Sequence, residues 1–251
     1  MSQSEIDAQH FVRSVSPLIE KRDLQALSEH LKRNWTGDQL ASLLSHPDQD
    51  VRKVAAVALS LVGCKRCIPM LARRLRDPDP CTNQLVEHAL WSIWFRCGTP
   101  DANHHLARGA LAIKRQDLPH AMEHINKAIH ACPDCAEAYN QRAIVHFLKE
   151  DYVSALKDCR RTVAQMPCHF GAWAGMGHCY AHLGRLEKAL ECYEKALSVN
   201  PHMREVREAV RDIRRRLNLR PRREWTLSDS TLHGDAFRFD SDVPQDRPPA
   251  M

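Results

Sequence analysis

Two pairs of cysteines have the spacing at which both members of a pair can hold one metal ion. Cys64 and Cys67 form one Cys-x-x-Cys pair, and Cys132 and Cys135 form the other. Four thiolates are a common ligand set for structural zinc. The two pairs fall in different units of a repeated helical pattern, however, and stacked units would hold them far apart. We therefore expect no zinc site.

Two pairs of histidines stand one helical turn apart, His120 with His124 and His178 with His182. That spacing can present two imidazoles to one metal ion. Neither pair has a glutamate directly after its first histidine or an obvious third ligand. We interpret them as surface or groove histidines.

Motifs of catalysis are missing from the sequence. It contains no phosphate-binding glycine loop, no nucleophile elbow and no histidine-glutamate zinc-protease motif. We therefore interpret the protein as non-catalytic and expect no cofactor.

A period of 34 residues organises residues 102–203. It is carried by prolines and alanines that recur in step, namely Pro133, Pro167 and Pro201 with Ala121, Ala155 and Ala189. A proline ends a helix because it lacks an N–H and its ring clashes with the preceding turn. Periods of this length indicate a stacked array of helix pairs, in which each pair needs neighbours to bury its apolar face. The pattern predicts an all-α fold, a continuous α-solenoid of antiparallel helix pairs.

The third unit of the period resembles the tetratricopeptide repeat. Its matching residues are Trp173, Met176, Gly177, Tyr180, Ala189, Tyr193, Ala196 and Pro201. The second unit departs from the pattern at Arg142, His146 and Cys159, and the first has His105 in place of the large aromatic residue. The resemblance implies three such repeats over residues 100–203.

A second repeated pattern covers residues 36–99. Asp48 precedes a stripe of apolar residues that ends at Gly63, and Asp79 precedes a similar stripe that ends at Gly98. The alanine-rich stretch 48–59 resembles the HEAT-like repeat, which implies two helix pairs of that kind over residues 36–99. We expect residues 98–102 to be a tight junction between the two kinds of repeat.

The two ends of the chain have weaker patterns. Residues 1–35 suggest short helices that form a cap or a degenerate repeat. Residues 204–219 carry an apolar stripe that predicts a capping helix on the last repeat. Residues 220–251 are rich in proline and polar residues, which predicts a disordered tail.

The composition is that of a soluble protein, with 43% apolar and 27% charged residues. We see no signal peptide at the N-terminus, and the longest nearly apolar run, residues 54–64, is too short to span a bilayer. The ten cysteines lie mostly within helical patterns and need no disulfide framework. We therefore predict a cytoplasmic protein that does not bind a membrane.

Charge is distributed unevenly near the C-terminus. Residues 204–223 contain nine arginines, and residues 224–251 contain six acidic residues. The arginines allow an alternative function in nucleic-acid binding. Because acids are interleaved with them and the apolar stripe already explains the helix, we do not expect nucleic acid as the partner. The acidic tail could also act as an autoinhibitor of the basic helix or of a binding groove.

The resemblance to tetratricopeptide repeats implies that the first helix of each unit lines a concave groove. By position, the partner-binding residues would be Lys114, Asn140, Ile144, Phe147, His178 and His182. Asn140 could hydrogen-bond a peptide backbone, and Ile144 and Phe147 offer apolar contact. The resemblance thus implies a scaffold or adaptor that binds a partner protein or peptide.

One subclass of that family clamps the terminal carboxylate of chaperones with basic and asparagine residues. The corresponding positions here hold Leu106, Ala110, Gln141, Gly171 and Gly175, so no lysine or arginine is present to pair with an anion. We therefore do not expect this clamp. A further alternative is a lyase-like or enzyme-accessory role with a small-molecule ligand, because some HEAT-like repeat proteins resemble bilin lyases.

Overall fold

The structure, a computed structural model, describes residues 6–218. These residues fold into thirteen α-helices without a β-strand, which confirms the predicted all-α class. The helices of the N-terminal half, residues 6–98, are α1 Ala8–Glu20, α2 Leu24–Asn34, α3 Gly37–Ser42, α4 Gln49–Val62, α5 Ile68–Arg74 and α6 Pro80–Trp94. Those of the C-terminal half, residues 99–218, are α7 Pro100–Lys114, α8 Leu118–Ala131, α9 Ala136–Leu148, α10 Tyr152–Gln165, α11 Phe170–His182, α12 Leu186–Val199 and α13 Arg204–Arg216.

Helices α7 to α12 form three antiparallel pairs, and each predicted proline follows the second helix of its pair. Small residues let the two helices of a pair approach closely. A Cβ atom added to Gly177 on α11 would lie 2.5 Å from the ring of Tyr193 on α12. At Gly109 on α7, an added Cβ would lie 2.6 Å from Ile125 on α8. Gly109 and Gly177 lie two 34-residue periods apart, so the period in the sequence corresponds to positions where the two helices of a pair approach closely.

Replacing Gly177 by alanine should lower the free energy of unfolding by about 1–3 kcal/mol, because the new methyl group overlaps the Tyr193 ring. Gly175 on the same helix is a matched control, since its added Cβ would meet only the Cys159 thiol, at 3.3 Å. Alanine at position 175 should leave stability unchanged or raise it slightly through better helix propensity. Urea titration of both variants measures the difference. Equal losses would contradict a close crossing at position 177.

In the N-terminal half, α3 pairs with α4 and α5 with α6 through turns that contain Asp-Pro or His-Pro-Asp. Asp48 caps α4 and Asp79 caps α6. The other aspartate of the second turn, Asp77, is buried and accepts two hydrogen bonds from Arg52 of α4, from Nε at 2.8 Å and from Nη2 at 2.9 Å. This ion pair joins the two helix pairs, a role that the turn pattern alone did not indicate. The resemblance of this half to HEAT-like repeats stays a prediction.

The junction between the halves is short. The Asn103 side chain accepts a hydrogen bond from the Gly98 N–H at 3.0 Å and donates to the carbonyls of Gly98 and Arg96. Thr99 caps α7 directly after it. These bonds hold the chain in the tight turn expected at residues 98–102.

The N-terminal half also packs against parts of the C-terminal half that are remote in sequence. The Trp94 ring of α6 stacks on His169 at a centroid distance of 4.1 Å and lies 5.3 Å from Phe170. Three polar contacts lie at the end of the third pair, from Arg76 to the Ser198 carbonyl, from Asn200 to Glu87, and between Asn83 and His202. Helix α6 therefore runs along the loops that precede α11 and α13.

The ends of the described region complete the core. Phe11 and Val15 of α1 and Leu27 and Leu31 of α2 are fully buried in the N-terminal half. Helix α13 packs on α12 through its buried residues Val206, Val210 and Ile213. The predicted tail, residues 220–251, falls outside the described residues. Among the helices of residues 6–218, none has both the length and the apolar character needed to cross a membrane.

Candidate functional site

An open cavity of about 280 Å³ lies between α9, α11 and α6. Its floor consists of small residues, Ala143 on α9 and Gly171, Ala174 and Gly175 on α11. Its walls and rim are larger side chains, Trp91, Asn140, Ile144, Phe147, His178 and Met203. The small residues leave room for the cavity, and most of the larger side chains around it are apolar. Throughout, "the groove" means this cavity together with the neighbouring exposed faces of α9 and α11.

Trp91 is the wall that comes from the N-terminal half. A Cβ atom added to Gly171 would lie 2.8 Å from the indole of Trp91, so the absence of a side chain at position 171 is what admits the ring. Trp91 also makes an edge contact with Trp94, at 4.8 Å between centroids. The site is therefore built jointly by α6 and the last two helix pairs.

Aromatic and imidazole rings form one end of the groove. Phe147 lies 5.2 Å from the His182 ring, and Tyr152 stacks on His182 at 4.9 Å. Tyr193 Oη lies 2.8 Å from His178 Nδ1. When the phenol donates this bond, the neutral imidazole carries its proton on Nε2, where it can donate to a ligand.

The groove carries little charge near neutral pH. Burial, aided by the nearby His182, lowers the pKa of His178, so its ring is neutral at pH 7. Burial also raises the pKa of the Tyr193 hydroxyl, which stays protonated. A ligand of this surface would meet apolar contacts and neutral hydrogen-bonding groups.

Four of the six residues predicted for partner binding line the cavity, namely Asn140, Ile144, Phe147 and His178. His182 lies beside them against Phe147 and Tyr152. Lys114, at the end of α7, is exposed and does not contribute to the cavity lining. The Asn140 amide nitrogen donates to Glu137 at 3.1 Å, and the residue is only 4% exposed. The bond to Glu137 occupies an amide donor of Asn140 that was expected to hydrogen-bond a peptide backbone.

A buried polar network supports the floor of the cavity. The Glu137 carboxylate is fully buried and accepts hydrogen bonds from His169 Nε2 at 2.7 Å, Gln141 Nε2 at 2.7 Å and Asn140 Nδ2. His169 Nδ1 accepts the Ala172 N–H at 3.0 Å, which caps α11. Because Nδ1 is an acceptor, His169 is a neutral ring with its proton on Nε2. The network fixes α9, α11 and the Trp94 stack relative to one another.

Two other candidate sites from the sequence have ordinary surroundings. On α13, three arginines pair with acids, Arg204 with Glu208, Arg214 with Glu194 and Arg215 with Asp212. The histidines predicted one turn apart, His120 and His124, bond to Asp117 and His105 respectively. Within residues 6–218, no group of three or more histidine, cysteine or acidic side chains is placed to hold a metal ion.

Trp91 was not among the residues predicted to line the groove. In the second repeat of the N-terminal half, the stripe replaces small alanines by Leu90, Trp91 and Trp94. That change from small to large residues was the sequence feature that could have indicated the contact, because a larger side chain on a repeat helix needs a further surface to pack against.

Comparisons with known proteins agree with the repeat pattern. A sequence model of the tetratricopeptide repeat matches residues 171–203. A TPR repeat-containing protein of Rhizobium etli is 28% identical over 138 residues, which is 55% of this chain and 67% of that protein. The Hsp70-Hsp90 organizing protein of Triticum aestivum is 25% identical over 128 residues, or 51% of this chain, but the match spans only 22% of that protein.

Among solved structures, the first TPR domain of the human RPAP3 protein is similar, at 24% identity and a TM-score of 0.46. The match covers 47% of this chain and 93% of that domain. The match of the sequence model identifies a tetratricopeptide repeat at residues 171–203, the last of the three helix pairs in the C-terminal half.

Proposed function

We propose that this protein is a non-catalytic scaffold that binds a segment of a partner protein in its groove. In this proposal, one large apolar side chain of the partner enters the cavity. The observation that carries it is the cavity itself, which has an apolar lining, a floor of glycine and alanine, and a wall supplied by the other half of the chain. The ten free thiols of the chain support a reducing compartment, the cytoplasm, as its location.

The size and surroundings of the cavity support a single anchoring side chain. At about 280 Å³ it lies near the lower end of the range for small-molecule sites, roughly 300–1,000 Å³. On α9, Ile144 is 37% exposed and Leu148 is 49% exposed, which extends the apolar surface beyond the cavity. A peptide can therefore bury one large side chain in the cavity and lay its neighbouring residues on α9. This arrangement is usual at protein interfaces, where a few anchoring side chains supply most of the binding free energy.

The partner segment differs, in our proposal, from an acidic chaperone tail. The name of the wheat relative refers to Hsp70 and Hsp90, which makes such tails the first partners to compare. The positions that hold a terminal carboxylate in chaperone-binding repeats contain no cation in this chain, and Trp91 covers one of them, Gly171. A carboxylate there would lose its water without gaining a charged partner, which is costly.

Filling the cavity should weaken binding. Peptides selected from a random display library on the wild-type protein should share one aromatic or large aliphatic residue at a fixed position. Leucine in place of Gly175 occupies the cavity, and we expect it to reduce their affinity at least about tenfold, or about 1.4 kcal/mol. Fluorescence polarisation with labelled copies of the selected peptides measures the change.

Two further variants make this experiment decisive. Ile144→Lys changes an exposed groove residue that the fold does not need, so it should weaken binding even if Gly175→Leu folds poorly. Lys114→Ala, which lies outside the cavity, should bind as the wild type does. Peptides without a common apolar residue, or equal affinity for all variants, would contradict the proposal.

A further inference from the structure

The first Cys-x-x-Cys pair has a geometry that its sequence spacing did not explain. The sulfur atoms of Cys64 and Cys67 lie 3.9 Å apart, in contact. Cys64 is exposed, whereas Cys67 is only 1% exposed and its thiol donates to the Gly37 carbonyl at 3.5 Å. Both sulfurs lie over Gly37, where an added Cβ would be 3.1 Å from one and 3.7 Å from the other. The pair thus has one sulfur open to solvent and one held behind it.

The two thiols also differ in acidity, and the exposed thiol is the more acidic one. Partial burial opposes ionisation of Cys64, but the Arg66 N–H, the Cys67 thiol and the Arg66 guanidinium outweigh it and lower the pKa of Cys64. Burial raises the pKa of Cys67 to about 11. Because the thiolate is the reactive form, the exposed sulfur of Cys64 is the better nucleophile of the two, whereas Cys67 stays a thiol at neutral pH.

A cationic cavity opens beside the exposed sulfur. It measures about 510 Å³ and is lined by Cys64 together with Lys32, Lys65 and Arg96. No carboxylate belongs to its lining within the described residues. A small molecule with several carboxylates would be attracted to this cavity and would reach Cys64 there.

We propose that Cys64 and Cys67 are a redox-active dithiol that exchanges with small anionic disulfides bound in this cavity. The Cys64 thiolate attacks one sulfur of the disulfide RSSR, forms a mixed disulfide and expels one RS⁻. Cys67 then loses its proton and attacks the Cys64 sulfur, which expels the second RS⁻. In total the protein dithiol is oxidised to one intramolecular disulfide and RSSR is reduced to two RSH, which take up the two protons.

Closing the disulfide needs only a small movement. The two sulfurs must approach by about 1.9 Å, from 3.9 Å to bond length, which side-chain rotation can supply. In moving, Cys67 gives up its hydrogen bond to Gly37, the first residue of α3. Oxidation therefore changes the contact between α3 and the turn that precedes α5.

The second Cys-x-x-Cys pair is a matched control within the same chain. Cys135 is buried and faces Gly98, where an added Cβ would lie 3.6 Å from its sulfur. Burial raises the pKa of Cys135, and Pro133 occupies the segment between the two cysteines. Cys132, the first cysteine of this pair, is less exposed than Cys64, so equal spacing should not give the same reaction.

The test is a redox titration of the full-length folded protein in mixtures of glutathione and glutathione disulfide. After an acid quench and alkylation, peptide mass spectrometry should find a Cys64–Cys67 disulfide at ratios where Cys132 and Cys135 remain reduced. In Cys67→Ser, Cys64 should accumulate as a mixed disulfide with glutathione. Iodoacetamide at pH 7 should label Cys64 at least about tenfold faster than Cys81, another exposed cysteine.

The possible outcomes either support the proposed dithiol or overturn it. Oxidation of both pairs together, or labelling of Cys64 no faster than Cys81, would overturn the proposal. If Cys67→Ser does not fold, the titration and labelling rates of the wild-type protein still decide it. Replacing Lys32 and Lys65 by glutamate should slow the reaction with glutathione disulfide but leave the reaction with an uncharged disulfide unchanged. If the variant and the wild-type protein reacted with glutathione disulfide at equal rates, the cationic cavity would have no part in the mechanism.

Discussion

Replacing Glu137 by alanine should lower the free energy of unfolding by about 3 kcal/mol or more, because three buried donors each lose a hydrogen-bond acceptor at about 1–3 kcal/mol apiece. The change leaves the His169 Nε2–H and the amide donors of Asn140 and Gln141 without their acceptor inside the core. Each abandoned donor costs free energy because it has already lost its water. Urea denaturation followed by circular dichroism measures the loss.

An exposed glutamate in the same half provides the control. Glu123 accepts a hydrogen bond from Lys127 at 2.6 Å, but both side chains are about half exposed. Alanine there should change stability by less than about 1 kcal/mol. If the two variants lost equal amounts, the Glu137 network would not be the structural support that its burial indicates.

The second large effect should come from Trp94→Ala, which we expect to destabilise the protein by about 3–5 kcal/mol. Trp94 is 1% exposed and fills the contact between α6 and residues 169–170. Its loss removes a large apolar contact between the two halves. Calorimetry should therefore show the single unfolding transition of the wild type separating into two, one for each half.

Phenylalanine at position 94 distinguishes packing from polar effects. Among the described residues, the Trp94 Nε1–H has no hydrogen-bond partner, so phenylalanine gives up no bond and keeps most of the stacked area. Trp94→Phe should retain most of the stability and a single transition. A Trp94→Ala protein with an unchanged midpoint would show that the halves are held together by other contacts.

The helical framework was predictable because it depends on contacts that are close in sequence or repeat at a fixed period. The interval between Gly177 and Tyr193 is local, and the recurring prolines mark where helices end. The packing of α6 on residues 169–170 and 200–202 was not predictable in this way. It joins residues up to 119 positions apart and leaves no periodic signal in the sequence.

The groove was predictable only where the repeat register applies. That register placed Asn140, Ile144, Phe147 and His178 at the cavity, because they occupy helices of the same repeat pattern. It also selected Lys114, which the same spacing places at the far end of α7. Trp91 was missed because it belongs to the other half, and the polar partner of Asn140 was missed because Glu137 is an acid in an otherwise apolar core.

The wall contributed by Trp91 means that the proposed binding groove is not a portable module. A fragment cut at Thr99 would keep the helices of the groove yet lose the indole that closes it, and would expose the face of His169 on which Trp94 stacks. Grafting the same three helix pairs onto another protein would carry over the helices of the groove without its Trp91 wall. If the proposed function holds, insertions or deletions upstream of the junction would change the shape of the groove, and so what it binds, without altering any residue of the three helix pairs.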